Sequence, residues 1–345
     1  MKTLAWQFVQ ASAGLAAILA LGASSLRAEL VVFGDSLSDV GNIREISAGF
    51  DFLPPIPDPA AGYYEGRFSN GPVWVDYLAD RLSLPRTKPS REGGTNYAHG
   101  GARVLEGSLL APPLEEIVSE VTAVSAADWV IVGGGSNDLL NREEGTRESF
   151  TQLGLDVAQG QMIAVEMLIA RGAKNLLVLG IPDLVTVPAV RDFAADLLAG
   201  FKAGSEAMNR EVPRLLEKKR LEHPGVRLEF LDLMSEETKW LSDPTRYGFT
   251  NVVEPAGVLS TDPLLAASGL AGAPPTMPAD QVAGYLFYDG VHPTSRAHAL
   301  IAQVAYDMIQ VPEPTSGAVL YFGAVGIFSI HRRRTRLDAR AVRPE

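Results

Sequence analysis

Leu30-Val31-Val32-Phe33-Gly34-Asp35-Ser36-Leu37 is the stretch from which the fold is read. Four apolar residues, three of them β-branched or aromatic, stop at a glycine and give way to a polar turn. So short and uniformly apolar a run suits a strand buried on both faces of a sheet. The pattern recurs. Trp129-Val130-Ile131-Val132 runs into Gly133-Gly134-Gly135-Ser136-Asn137-Asp138, Asn175 to Leu179 runs into Gly180-Ile181-Pro182-Asp183, and Val226 to Leu231 reads as a fourth strand. Helical segments alternate with these: Val73 to Arg81 with Trp74, Tyr77 and Leu78 on one face, Thr151 to Arg171, Ala189 to Leu221, and a closing Ser295 to Ile309. Strand and helix in alternation argue an α/β domain with a parallel sheet covered on both faces. Such sheets bind ligands at the carboxyl ends of their strands, and Ser36 and Asn137 stand at two of those ends.

Ser36 acquires chemical meaning from Asp289-Gly290-Val291-His292 near the other end of the chain. A serine hydroxyl barely ionises at neutral pH and attacks a carbonyl only when an imidazole takes its proton. The imidazole must in turn be held in one tautomer by a carboxylate. Each fragment alone says little. Gly-Asp-Ser is ordinary turn composition, and Asp289 before Pro293-Thr294-Ser295 also reads as a helix start. Two further blocks lie between them: Asn96-Tyr97-Ala98-His99-Gly100-Gly101-Ala102 and Gly134-Gly135-Ser136-Asn137-Asp138.

These four blocks, in this order and spread over roughly Leu30 to Gln310, resemble the GDSL family of lipases and esterases within the SGNH hydrolase superfamily. Gly66-Arg67-Phe68-Ser69-Asn70-Gly71-Pro72-Val73-Trp74 is similar to the corresponding stretch of the plant-type branch. The resemblance implies a flavodoxin-like three-layer α/β/α sandwich with a parallel five-stranded sheet. It implies a catalytic triad of Ser36, His292 and Asp289, and an oxyanion hole from the Ser36 N–H, the Gly100 N–H and the Asn137 side-chain amide. Gly100 is taken on family position, with the adjacent Gly101 as the alternative. The implied activity is hydrolysis of carboxylic esters (lipid, short-acyl or polysaccharide acyl esters) through a Ser36 acyl-enzyme, without a cofactor. The rival readings are an acyltransferase using the same triad and a catalytically inactive envelope surface protein.

Other residues are assigned plainer work. Asp35 and Asp39 are expected to cap and hydrogen-bond loops, Asp138 to bind backbone, His99 to line a pocket or face solvent, and His298 to be structural. His223 and His331 pair with no carboxylate at metal-ligand spacing, and there is neither cysteine nor an H-E-x-x-H motif, so no metal site is expected. No Walker loop, and no G-x-G-x-x-G after a strand, points to a nucleotide. A net charge of −11 on 345 residues argues against nucleic acid and against charge-driven binding to anionic membranes.

Both ends read as targeting segments. Met1-Lys2 precedes an apolar stretch from Ala11 to Ala23, so residues 1–28 are expected to be a signal peptide cleaved after Ala28, or alternatively after Ser25. The hydrolase domain would then span residues 29–310, held by its core alone in the absence of cysteine. Beyond it, Val311-Pro312-Glu313-Pro314-Thr315, an apolar run from Gly317 to Ile330 and the arginines Arg332, Arg333, Arg334 and Arg336 resemble the PEP-CTERM sorting signal of Gram-negative bacteria. That resemblance implies export to the cell envelope, processing by signal peptidase and an exosortase-type protease, and transient membrane contact through residues 311–345. Two loops are candidates for shaping specificity. Ala48 to Asn70 holds Phe50, Phe52, Tyr63, Tyr64 and Phe68 among prolines, and forms either a substrate wall or a cover for the sheet edge. Asn251 to Ala283, rich in Gly, Pro and Ala, is expected to be a lid or rim.

Overall fold

Strand β1 (Leu30–Phe33) pairs in parallel with β2 (Trp129–Val132), β2 with β3 (Asn175–Leu179), and β3 with β4 (Arg227–Leu231). The computed structural model describes residues 28–50, 55–257 and 277–310. Residues 1–27 of the expected leader, the expected sorting segment, Phe52, His331 and the middle of the Asn251–Ala283 stretch lie outside the described residues. Those through Tyr306 belong to one compact unit.

Both faces of the sheet are dry. Val31, Phe33, Val130, Val132, Leu176, Val178 and Leu228 enter one apolar cluster, while their neighbours Leu30, Val32, Ile131, Leu177 and Leu231 are equally buried. Since successive strand residues point to opposite faces, burial of both sets means two covering layers. The first cluster also takes Val157, Val165, Met208 and Val212. They come from the two long helices α5 (Arg147–Ala170) and α6 (Ala195–Glu222), which pack against each other.

The expected five strands are four among the described residues. The fifth place is held by a single parallel bridge, Val32 to Asn96, with Val32 N–H donating to Thr95 O and Tyr97 N–H to Val32 O at 3.0 and 2.7 Å. With that segment counted second in chain order, the sheet runs 2-1-3-4-5, the flavodoxin-like order. The side chain of Asn96 explains its brevity: it turns back to give hydrogen bonds to Ser38 O and Thr87 Oγ1, and its Oδ1 takes the Ala98 N–H.

The remaining helices are α1 (Asn42–Ser47), α2 (Trp74–Arg81), α3 (Leu114–Ser119), α4 (Ser136–Leu140), α7 (Leu233–Ser242), α8 (Ala279–Val282) and α9 (Ser295–Gln310). Helix α5 begins at Arg147, ahead of the expected Thr151, because Thr146 caps it by accepting the Ser149 N–H. Helix α6 begins at Ala195 rather than Ala189. The preceding residues form 3₁₀ turns, Leu184–Thr186 after the capping Asp183 and Pro188–Val190 with the proline leading. The described ends of the stretch expected to be a lid or rim carry regular structure. They include β5 (Asn251–Pro255), which pairs in parallel with β6 (Tyr285–Phe287) in a small second sheet.

Candidate active site

Each element delivers its polar residue where its strand ends. Ser36 follows β1 in a turn closed by Ser38 N–H and Asp39 N–H on Asp35 O, both at 3.0 Å, while Asp35 Oδ1 accepts Leu37 N–H. Burial pushes the Asp35 carboxyl up. Helix α2 props the turn from behind: the buried Trp74 donates its indole N–H to Ser38 Oγ at 3.0 Å.

Asp289 and His292 follow β6 in a tight turn. Tyr288 N–H donates to His292 O at 2.8 Å, and Thr294 N–H to Leu286 O at 2.9 Å. Within it, Asp289 Oδ1 accepts both the Val291 and His292 N–H groups, at 2.8 and 2.7 Å. Its Oδ2 lies 2.7 Å from His292 Nδ1, and His292 Nε2 lies 2.9 Å from Ser36 Oγ. Serine and histidine, 256 positions apart, thus meet in a continuous hydrogen-bonded chain, all three residues less than a tenth exposed. Burial raises the Asp289 carboxyl, but the nearby His292 and the hydrogen bonds from His292 and Tyr63 outweigh it and leave it below the usual carboxylate range. An ionised carboxylate on Nδ1 fixes the tautomer that leaves Nε2 free to accept a proton.

Three groups are candidate oxyanion donors. The N–H groups of Ser36 and Gly101 give no hydrogen bond to protein among the described residues. Asn137 projects from the start of α4, where its Nδ2 spends one hydrogen on Ala102 O at 3.0 Å and retains a second. Gly100, expected as the backbone donor, is corrected by the structure: its N–H goes to Asp39 Oδ2 at 2.8 Å. Gly100 is needed instead for closeness, since a β-carbon there would run into the Phe68 ring. Gly101, at φ 76°, occupies the left-handed region that glycine enters without penalty. Behind Asn137 the glycine run is also a packing requirement. A β-carbon on Gly135, at φ 121°, would stand 2.7 Å from Val157 Cγ1 and 2.9 Å from Met208 Sδ.

The Ser36 hydroxyl opens on a narrow cavity of about 70 Å³ lined by His292 and Asn137 and walled by apolar residues including Leu140, Leu184, Val187, Leu233 and Trp240. Gly101 and Asn137 border a second, wider cavity of about 240 Å³ with Ile43, Ile56, Phe68 and Leu110. Each is mainly hydrophobic with few polar groups, as small-molecule sites are.

The residues given plainer work fall mostly as expected. Asp39 accepts the N–H groups of Gly41, Asn42, Ile43 and Gly100, which seats α1 against the glycine block. Asp138 accepts those of Val104 and Leu105, and burial pushes it up to about 6. His298 is buried within α9, and burial followed by the charge of nearby His292 pushes it down to about 3. His99 departs from expectation. It is fully buried, with Nδ1 2.9 Å from Tyr97 O, and lines neither cavity. His223 also departs: Nε2 lies 3.0 Å from Glu166 of α5, with Glu222 beside it. Lys219 ion-pairs with both carboxylates of that cluster, so it is a charge network holding α6 to α5.

Two site contacts escaped the sequence: that of Tyr63, read only as a member of the aromatic loop, and that of Glu237. Tyr63 donates its hydroxyl to Asp289 Oδ2 at 2.5 Å. Glu237 lines the narrow cavity, accepts Asp183 N–H and Thr186 O–H, and is pushed up to about 7 by burial. Neither carries a local signal, since each partner lies more than fifty residues away.

Residues 30–305 match the sequence profile of GDSL-like lipases and acylhydrolases. The chain belongs to that family. It is accordingly a carboxylic ester hydrolase with the family's α/β fold. A GDSL esterase/lipase of Arabidopsis thaliana is 24% identical over 83% of this chain and 88% of its own length. A phosphatidylcholine-sterol acyltransferase of Aeromonas hydrophila is 27% identical over 86% of this chain and 95% of its own. Among solved structures, an aryl esterase of M. smegmatis has a TM-score of 0.44 at 16% identity, covering 82% of this chain and 98% of that one.

Proposed function

We propose that this member of the family is an exported serine esterase whose nucleophile is Ser36. The observation that carries the reading is the unbroken chain from Asp289 through His292 to Ser36, with the Ser36 and Gly101 N–H groups unbonded among the described residues and a half-committed Asn137 amide. Ser36 Oγ bonds to the ester carbonyl carbon as its proton passes to His292 Nε2. The carbonyl π electrons move onto oxygen, where the Ser36 and Gly101 N–H groups and the Asn137 amide receive the charge, each such donor worth about 3 kcal/mol of barrier. Collapse expels the alcohol, which takes the proton from Nε2. Water then attacks the acyl-enzyme, giving a proton to Nε2, and the acid leaves as Ser36 recovers its hydrogen.

Two apolar cavities meeting at Asn137 favour substrates with hydrocarbon on either side of the ester, short-acyl or lipid esters. A second reading, transfer of the acyl group to another alcohol, draws support from the likeness to the Aeromonas acyltransferase over nearly all of that protein's length. Export to the envelope of a Gram-negative cell rests on the sequence of residues 1–28 and 311–345 alone.

The test is hydrolysis of p-nitrophenyl esters from acetyl to palmitoyl by the full chain beside Ser36→Ala and His292→Ala. Loss of turnover in both variants, with their folds intact by circular dichroism, is expected. Undiminished activity in either one sinks the triad. Added alcohol that diverts product from acid to ester identifies the transferase.

A further inference from the structure

The Asp289 carboxylate receives four donors. Three come from its own turn: the Val291 and His292 N–H groups on Oδ1, and His292 Nδ1 on Oδ2. The fourth, the Tyr63 hydroxyl at 2.5 Å from Oδ2, comes from a loop 226 residues away. Among the described residues, the packing of this ring does not call for a phenol. The ring is buried edge-on against Tyr288, with centroids 5.2 Å apart, and against Phe68 at 6.4 Å, contacts a phenylalanine would also make. What the hydroxyl adds is a hydrogen bond to the same oxygen that holds the imidazole.

The loop is tied to the histidine's turn at several points. Tyr288 O–H donates to Ala61 O at 2.8 Å, Ser69 Oγ to Pro293 O at 2.9 Å, and Ser295 N–H to Asn70 Oδ1 at 2.8 Å. Phe68, on the same loop, lies with its ring centroid 5.0 Å from that of His292. Burial, and then the charge of Asp289, push the Tyr63 phenol well above its ordinary range, so it serves only as a donor.

We infer that Tyr63 is a positioning residue of the triad, holding Asp289 Oδ2 toward His292 and drawing charge from the oxygen that stabilises the imidazolium. The inference rests on the triad reading above. Two donors on one oxygen share its charge. Without the phenol, Oδ2 spends its full charge on Nδ1–H, which favours the protonated ring over the neutral one. The histidine then retains its proton to higher pH, and the carboxylate loses one of the two bonds that aim Oδ2. Among the described residues, the other ionisable groups near the ring are Asp35 after β1, His298 on α9, Tyr288 beside Asp289, and Glu237 of α7, which lines the same cavity. Tyr63→Phe changes none of them directly.

The experiment compares full-length wild type, Tyr63→Phe and Ser36→Ala. It reads the pH dependence of kcat/KM on p-nitrophenyl butyrate and the NMR titration of the His292 ring. In Tyr63→Phe the acid limb is expected to rise by about half a pH unit, the ring titration to move with it, and kcat to fall about five-fold with KM within about two-fold. An unshifted limb and titration, whether or not kcat falls, overturns the role and leaves Tyr63 as packing. Retained activity in Ser36→Ala would be failure of the triad reading instead. In that case the ring titration alone decides whether Tyr63 acts on His292.

Discussion

Replacing Asn137 by alanine separates the two jobs of one side chain. Its Nδ2 holds Ala102 O at 3.0 Å with one hydrogen and keeps the other for the cavity it lines with Ser36 and His292. If the second hydrogen meets the oxyanion, its removal costs about 3 kcal/mol of transition-state stabilisation, or a kcat lower by about 10²-fold. The neutral carbonyl of bound substrate gains far less from the same donor, so KM should stay within a few-fold. Losing the first hydrogen costs stability instead, about 1 kcal/mol, or a Tm lower by roughly 2–4 °C in a domain of this size. Steady-state kinetics on a p-nitrophenyl ester and a thermal melt read the two effects independently. Asn137→Asp should be slower still, because it adds a negative charge where negative charge develops. A raised KM with kcat intact would refute the oxyanion role, as would an Asp variant more active than the Ala variant.

The packing beneath the site and the acidic wall residue Glu237 make two further tests. Gly135→Ala forces a β-carbon to 2.7 Å from Val157 at a φ of 121°, so it should destabilise the fold by about 2–3 kcal/mol in denaturant titration. Wild-type stability in that variant would mean the glycine run is not needed for packing. Glu237, raised by burial to about 7, favours the fold while protonated, and that contribution is lost as pH rises from the ordinary carboxylate range through about 7. Wild type should therefore lose on the order of 3 kcal/mol from this group between pH 5 and pH 8, and Glu237→Gln should shrink the difference. An unchanged pH dependence of unfolding would rule Glu237 out as its source.

The parts of the fold legible in the sequence are those with local causes. The runs Leu30–Phe33, Trp129–Val132 and Leu176–Leu179 are apolar because both their faces are covered, and each ends in a polar turn. Asp289 and His292 were legible as a pair because one tight turn joins them. What escaped was decided over distance. The segment around Asn96 bonds to β1 through one bridge, too brief for a strand signal, and β6 is three residues long. Whether Gly100 or Gly101 keeps a free N–H depends on Asp39, 61 positions upstream, and two adjacent glycines look alike without it. The aromatic loop presented two roles on composition alone. In the structure it has a third, with Tyr63 on Asp289 and Phe68 against His292 and Gly100. Helix α6 starts late because the 3₁₀ turns led by Asp183 and Pro188 take up the chain before it, although alanine and leucine around them have helical composition.

The most direct measurement of the central claim is covalent trapping of the nucleophile. The full chain is treated with a fluorophosphonate, its intact mass is followed beside residual esterase activity, and the adduct is located by peptide mapping. One adduct on Ser36, accumulating in step with loss of hydrolysis and absent from His292→Ala, is the expected result. An adduct on another residue, or full hydrolysis by protein labelled at Ser36, would contradict it.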